Sequence, residues 1–130
     1  MKDIKAHKIL VVDDDRINQA LVKFGLAEQR YDVVAASDGD EGLKVLQEEK
    51  PDLIILDVMM PNMNGHEFVT ELKRLDGFAR IPVIMLTSNE TMEDMFKLEG
   101  ARAYFVKPVK LPELVAKIRE YLGDNPADGE

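Results

Sequence analysis

The stretch "ILVVDDDRIN", residues 10–19, runs an apolar segment directly into three aspartates, Asp13, Asp14 and Asp15. Two carboxylates 5 Å apart repel by roughly 3 kcal/mol at the effective dielectric of a protein surface. A turn needs one such residue, so three call for a solvated helix start or a site that holds a cation. Asp15 directly precedes the helical pattern "RINQALV" and reads as its N-cap, accepting from backbone N–H groups that the first turn leaves without partners. Asp13 and Asp14 on their own read equally well as a solvated turn or as cation ligands.

Outward from this stretch, short β-branched runs alternate with helix-period segments. The strand-like runs are "HKILVV" (7–12), "YDVVAA" (31–36), "DLIILD" (52–57), "IPVIMLT" (81–87) and "AYFVK" (103–107). Several are apolar at nearly every position, as expected of strands covered on both faces. Between them, helical spacing groups Ile17, Ala20, Leu21, Phe24 and Ala27 in the first helix, and Phe68, Val69, Leu72 and Leu75 in the third. The last helix carries Leu111, Leu114, Val115, Ile118 and Leu122, with Pro112 at its start. A second helix is expected near 39–49, capped by Ser37 or Asp38, and a fourth near 90–99, stopped by Gly100. Five strands alternating with five helices predict an α/β (βα)5 fold, a doubly wound five-stranded parallel sheet with helices on both faces.

Composition narrows the function. With 25 acidic and 17 basic residues the net charge is -8, which leaves no basic stripe for nucleic acid. The absence of cysteine excludes disulfides and thiolate chemistry. Two distant histidines, His7 and His66, both read as solvent-facing and make no zinc site. The longest apolar runs are far too short to span a bilayer and no signal peptide precedes them, so a cytoplasmic protein is expected. The domain is expected to occupy residues 1–122, and "GDNPADGE" (123–130) to be a disordered tail or the start of a linker.

In an open parallel sheet the chemistry lies beyond the carboxyl ends of the strands. The first strand delivers Asp13 and Asp14 there, the third Asp57, the fourth Thr87 and the fifth Lys107. With the first and third strands adjacent, Asp13, Asp14 and Asp57 converge into a site for a hard cation.

The motifs "ILVVDDD", "PDLIILDVMMPNMNG", "IPVIMLTS" and "GARAYFVKP", in this order and spacing over residues 7–122, resemble the receiver domains of two-component response regulators, of the single-domain chemotaxis and sporulation type. The resemblance implies a flavodoxin-like strand order 2-1-3-4-5 and a phosphoryl acceptor at Asp57. Mg2+ would be held by Asp13, Asp14, Asp57 and the backbone carbonyl of Met59. Thr87 and Lys107 would contact the phosphoryl group, and Tyr104 would switch together with Thr87. It implies a cis bond between Lys107 and Pro108, and places Met59 and Asn89 beside the path of hydrolytic water. It also implies phosphoryl donation by a sensor histidine kinase or phosphotransfer protein, with specificity around Ile17, Asn18 and Leu21. A downstream protein target would read the face built by the fourth helix, fifth strand and fifth helix. Such a domain is no enzyme beyond its own phosphorylation and dephosphorylation. Thr87 to Lys107 spans 20 residues, short for the family, so a short fourth helix or a tight loop leading into it is expected.

Two other readings remain. Asp13 and Asp15 form a D-x-D pair like that of aspartate-nucleophile phosphohydrolases of the haloacid-dehalogenase type, though the chain is small for one and Asp57 and Lys107 go unexplained. A receiver-like adaptor would dock partners without being phosphorylated.

Overall fold

The computed structural model describes residues 6–58, 63–87 and 102–126. They form β1 (Lys8–Val12), α1 (Arg16–Glu28), β2 (Asp32–Ala36), α2 (Gly39–Glu49), β3 (Leu53–Asp57), α3 (Gly65–Arg74), β4 (Val83–Thr87), β5 (Ala103–Val106) and α4 (Leu111–Leu122). The strands make one parallel sheet in the order β2-β1-β3-β4-β5, with β1 lying between β2 and β3. The helix expected near 90–99 and its cap at Gly100 lie outside the described residues, as do Met59 and Asn89.

Alternation along each strand divides the core in two. Leu10, Val12, Ile54, Leu56 and Met85 pack with Phe68, Val69 and Leu72 on the α2–α3 face. Ile9, Val11, Leu53, Ile55 and Ile84 pack with Val22, Leu26, Leu114 and Ile118 on the other, under α1 and α4. Each such buried side chain contributes about 1.5–3 kcal/mol, so a sheet apolar on both sides is stable only with both helical layers in place.

The helix starts follow local chemistry. Asp38 accepts from Glu41 N at the head of α2, and Asn64 and Glu67 form a reciprocal capping box on α3. Pro112 falls in the first turn of α4, where its missing N–H costs nothing. Gly65, opening α3, lies against the chain just after β3. A Cβ there would meet the Val58 Cα at 3.1 Å, and Gly65 N donates to Val58 O at 3.0 Å.

The first helix corrects the sequence reading. Its inward stripe is Asn18, Gln19, Val22, Gly25 and Leu26, and Ile17, Leu21 and Phe24 face solvent at 75%, 66% and 68% exposure. The apolar stripe read from the sequence is real, but it is the outer one. Both histidines are half-buried and not solvent-facing. Asn125, within the stretch expected as tail, is buried. Its amide accepts from His7 N and donates to the carbonyls of Gln29 and Arg30, tying the segment after α4 to the start of β1 and the end of α1.

Candidate functional site

At the carboxyl ends of the strands, Asp13, Asp14 and Asp57 each offer a carboxylate oxygen, and these oxygens lie within 4.8 Å of one another. The sheet explains the convergence. β1 and β3 run side by side in parallel, with Val12 paired to Leu56, so the residues that follow emerge together. Asp13 continues the parity of Ile9 and Val11, and Asp57 that of Leu53 and Ile55. Asp13 is 1% exposed and Asp57 5%, whereas Asp14 is exposed.

Buried carboxylates at this separation need positive charge. Lys107 supplies part of it, its Nζ 3.3 Å from Asp57 Oδ1 and 3.5 Å from Asp13 Oδ2. Lys107 N donates to Thr87 O at 2.7 Å, which carries the β4–β5 pairing one residue past Val106. The Lys107–Pro108 peptide bond is cis, as expected. Formal charges of minus three from the carboxylates and plus one from Lys107 leave minus two, which a divalent cation would cancel. The donors are hard oxygens, and the exposure of Asp14 leaves room for water. Both features suit Mg2+, which takes carboxylates, carbonyls and several waters.

Thr87 closes β4, fully buried, and continues the parity of Val83 and Met85. Tyr104 is paired in register with Met85 and is partly buried against the α2–α3 core, on that same face. The structure therefore brings Asp13, Asp14, Asp57 and Lys107 to one point and sets Thr87 and Tyr104 on a shared sheet face beside it. The fourth oxygen expected for the cation, the Met59 carbonyl, lies outside the described residues.

Asp15 has a separate task. Its Oδ1 accepts from Ile17 N at 3.0 Å and Asn18 N at 3.3 Å, so it caps α1. That engagement turns it toward the helix, against a D-x-D pairing with Asp13. Asp15→Ala is expected to lower stability by about 1 kcal/mol and leave cation affinity intact. Asp14→Ala is expected to weaken Mg2+ strongly at little cost in stability. Calorimetric titration of both variants separates the two roles, and equal losses of affinity would contradict the assignment.

Two residues of the site escaped the sequence reading. Asn18 Nδ2 donates to Asp13 Oδ2, and Gln19 Nε2 donates to the backbone carbonyls of Asp13 (3.0 Å) and Ala36 (2.9 Å). The available signal was their position. Both fall on the inward stripe of α1, five and six residues past Asp13, where an apolar side chain would otherwise stand.

A family model for the response regulator receiver domain matches residues 9–119. The chain belongs to the response regulator receiver domains. Relatives include the alkaline phosphatase synthesis transcriptional regulatory protein PhoP of Bacillus subtilis, 41% identical over 117 residues, covering 88% of this chain and 48% of that protein. The transcriptional regulatory protein AfsQ1 of Streptomyces coelicolor is 42% identical over 116 residues, covering 88% of this chain and 50% of that protein. The receiver domain thus spans about half the length of the curated relatives it matches. Among solved structures, the chemotaxis protein CheY4 of Vibrio cholerae superposes with a TM-score of 0.82 at 32% identity, covering 88% of this chain and 98% of that one. The receiver domain of the sensor histidine kinase PA1611 of Pseudomonas aeruginosa, described with a magnesium ion in its active site cleft, has a TM-score of 0.83 at 26% identity, covering 91% and 98%. These likenesses agree with the strand order of the present receiver domain and with an acidic cluster at the carboxyl edge of its sheet that could hold a metal ion. Among its described residues no helix is long and apolar enough to cross a membrane.

Proposed function

We propose that this receiver domain accepts a phosphoryl group on Asp57 from a histidine kinase or histidine phosphotransfer protein, with Mg2+ held by Asp13, Asp14, Asp57 and the Met59 carbonyl. The observation that carries this reading is the meeting of three carboxylates and one ammonium at the ends of β1, β3 and β5. Asp57 is the acceptor because its carboxylate closes the central strand β3 and has Lys107 3.3 Å away.

A carboxylate is a poor nucleophile toward an anionic phosphoryl group until the charge on both is offset. Asp57 Oδ attacks phosphorus as the bond to the donor nitrogen breaks, and the departing imidazole keeps the electron pair. Lys107, a point charge on a flexible stem, can pair with a phosphoryl oxygen without a fixed fork geometry. Mg2+, when bound, would supply positive charge to the phosphoryl oxygens during the in-line displacement. Thr87, at the end of β4, is suited to donate its hydroxyl to the new phosphoryl group, and Tyr104 to follow it. The product, a mixed anhydride, hydrolyses readily and suits a reversible signal. The domain is an acceptor used once per cycle and not a turnover enzyme. A cytoplasmic location, protein partners and no direct contact with nucleic acid follow from this reading and from the acidic charge.

The outer stripe of α1 supplies the surface a phosphodonor protein would grip. Ile17, Leu21 and Phe24 are spaced i, i+4, i+7, lie on the helix that starts beside Asp13–Asp15, and are largely exposed. Changing all three to serine should slow transfer from the cognate kinase by about tenfold or more, since a few apolar anchors carry most interface energy. Transfer from acetyl phosphate, which needs no docking surface, should be unchanged. Equal slowing with both donors would remove this stripe from the donor interface. Intact-mass measurement after acetyl phosphate treatment tests the proposed chemistry itself. One phosphoryl group should appear with Mg2+ and none with chelator. Failure to label under any cation would favour the adaptor reading.

A further inference from the structure

We infer that Asn18 is a positioning residue for the cation site, holding Asp13 in place and keeping its carboxylate from collapsing onto Lys107. The inference rests on the reading of Asp13, Asp14 and Asp57 as a cation site. Asn18 occupies the third position of α1, where a capping-box side chain would reach back to the cap's backbone N–H. Here it reaches past the Asp15 cap to the carboxylate of Asp13. That carboxylate is bound on both oxygens, since Oδ1 accepts from Asp15 N at 2.9 Å and Oδ2 from Asn18 Nδ2.

Lys107 shares Oδ2, but at 3.5 Å, longer than the 2.7–2.9 Å usual for a charge-assisted bond. The geometry is a division. A neutral amide takes the near approach to Oδ2, and the ammonium is held off, equidistant to within 0.2 Å between Asp13 and Asp57. Gln19 fixes the other half of the residue by donating to the Asp13 carbonyl. Asp13 therefore cannot close further on Lys107 without giving up the hydrogen bond from the Asn18 amide in a buried setting.

Without the Asn18 amide, Oδ2 of a 1% exposed carboxylate loses its near donor, and the only cation beside it among the described residues is Lys107. Closure of that ion pair would compete with a divalent cation for the same oxygen. Asn18 thus favours a metal-ready arrangement over an internally paired one. It also lies next to Ile17 on α1, so the helix that offers the outer apolar stripe orients the inner carboxylate as well.

The test is calorimetric titration of Mg2+ into the wild type, Asn18→Leu and Asn18→Gln, with thermal melting in chelator. Loss of an outer-shell partner commonly weakens a metal by 10- to 100-fold, and about tenfold is expected for Asn18→Leu. Asn18→Gln keeps the amide on a stem one methylene longer and should recover most of the affinity. Acetyl phosphate labelling should give a raised half-saturating Mg2+ concentration for Asn18→Leu and a near-normal rate at saturating Mg2+, a split that a merely structural role would not produce. If Asn18→Leu does not fold, Asn18→Ala makes the same comparison without the apolar bulk. Unchanged or tightened affinity in the variant lacking the amide would overturn the inference, as would a glutamine variant no better than leucine. A wild type that binds no Mg2+ would overturn the cation-site reading itself.

Discussion

Asp57→Asn is expected to take up no phosphoryl group from acetyl phosphate or from a kinase, a loss of at least about three orders of magnitude, because an uncharged amide oxygen cannot form the anhydride. The variant should remain folded. The amide keeps the shape of the original side chain at the end of β3, and one of three converging carboxylates is neutralised, which relieves repulsion in a site where Asp13 is nearly fully buried. Intact mass after donor treatment, with a melting curve beside it, gives both readings in one preparation. Continued uptake at Asp13 or Asp15 would revive the phosphohydrolase reading. That outcome is disfavoured by Asp15, whose carboxylate is engaged with the first turn of α1.

Lys107→Met should have the second largest effect. The ammonium is the only side-chain cation beside Asp13 and Asp57 among the described residues, 3.5 and 3.3 Å away. Removing one member of a buried charge cluster leaves the others uncompensated and costs about 3 kcal/mol or more. The lysine is 22% exposed and water reaches that end of the cluster, so about 2–3 kcal/mol is expected in chelator. Mg2+ should restore much of this, because a divalent cation supplies the missing charge. Phosphorylation should fall by roughly a hundredfold even at saturating Mg2+, about 2.7 kcal/mol of barrier, since no other positive side chain among the described residues stands beside Asp57. A melting temperature insensitive to both the substitution and Mg2+ would mean that the cluster is solvated and Lys107 contributes little to its balance.

Most of the fold was legible because the two periodicities are plain in this chain. Strands apolar at nearly every position mark a sheet covered on both faces, and "LIILD" and "VIMLT" are buried at every residue as that pattern requires. The site was legible for a related reason. In a parallel sheet, strand ends are neighbours, so Asp13 and Asp57, 44 residues apart, fall together once β1 and β3 are adjacent.

Hydrophobicity alone selects Ile17, Leu21 and Phe24 as the inward face of α1, and the fold turns them outward. The inward stripe begins with Asn18 and Gln19, turned to Asp13, and includes Gly25, whose missing side chain admits Leu111 of α4. Local rules fail in this helix where the site imposes other demands, and the displaced apolar residues stand on its exposed side. The expectation of a tail through Asn125 fails for a similar reason. A polar, turn-rich segment carries no sign of the backbone groups it will satisfy, here His7 N and the carbonyls of Gln29 and Arg30 at the end of α1.

A phosphoryl group carried as an anhydride of Asp57 leaves a chemical signature at that residue. The most direct measurement treats the wild-type protein with acetyl phosphate and Mg2+, reduces the product with borohydride and maps the peptides by mass spectrometry. An acyl phosphate at Asp57 is reduced to the alcohol, so residue 57 should be recovered as homoserine, and only from samples that contained both donor and Mg2+. Reduction at Asp13 or Asp15, or a phosphoryl group that survives on Ser or Thr with Asp57 unaltered, would contradict the account.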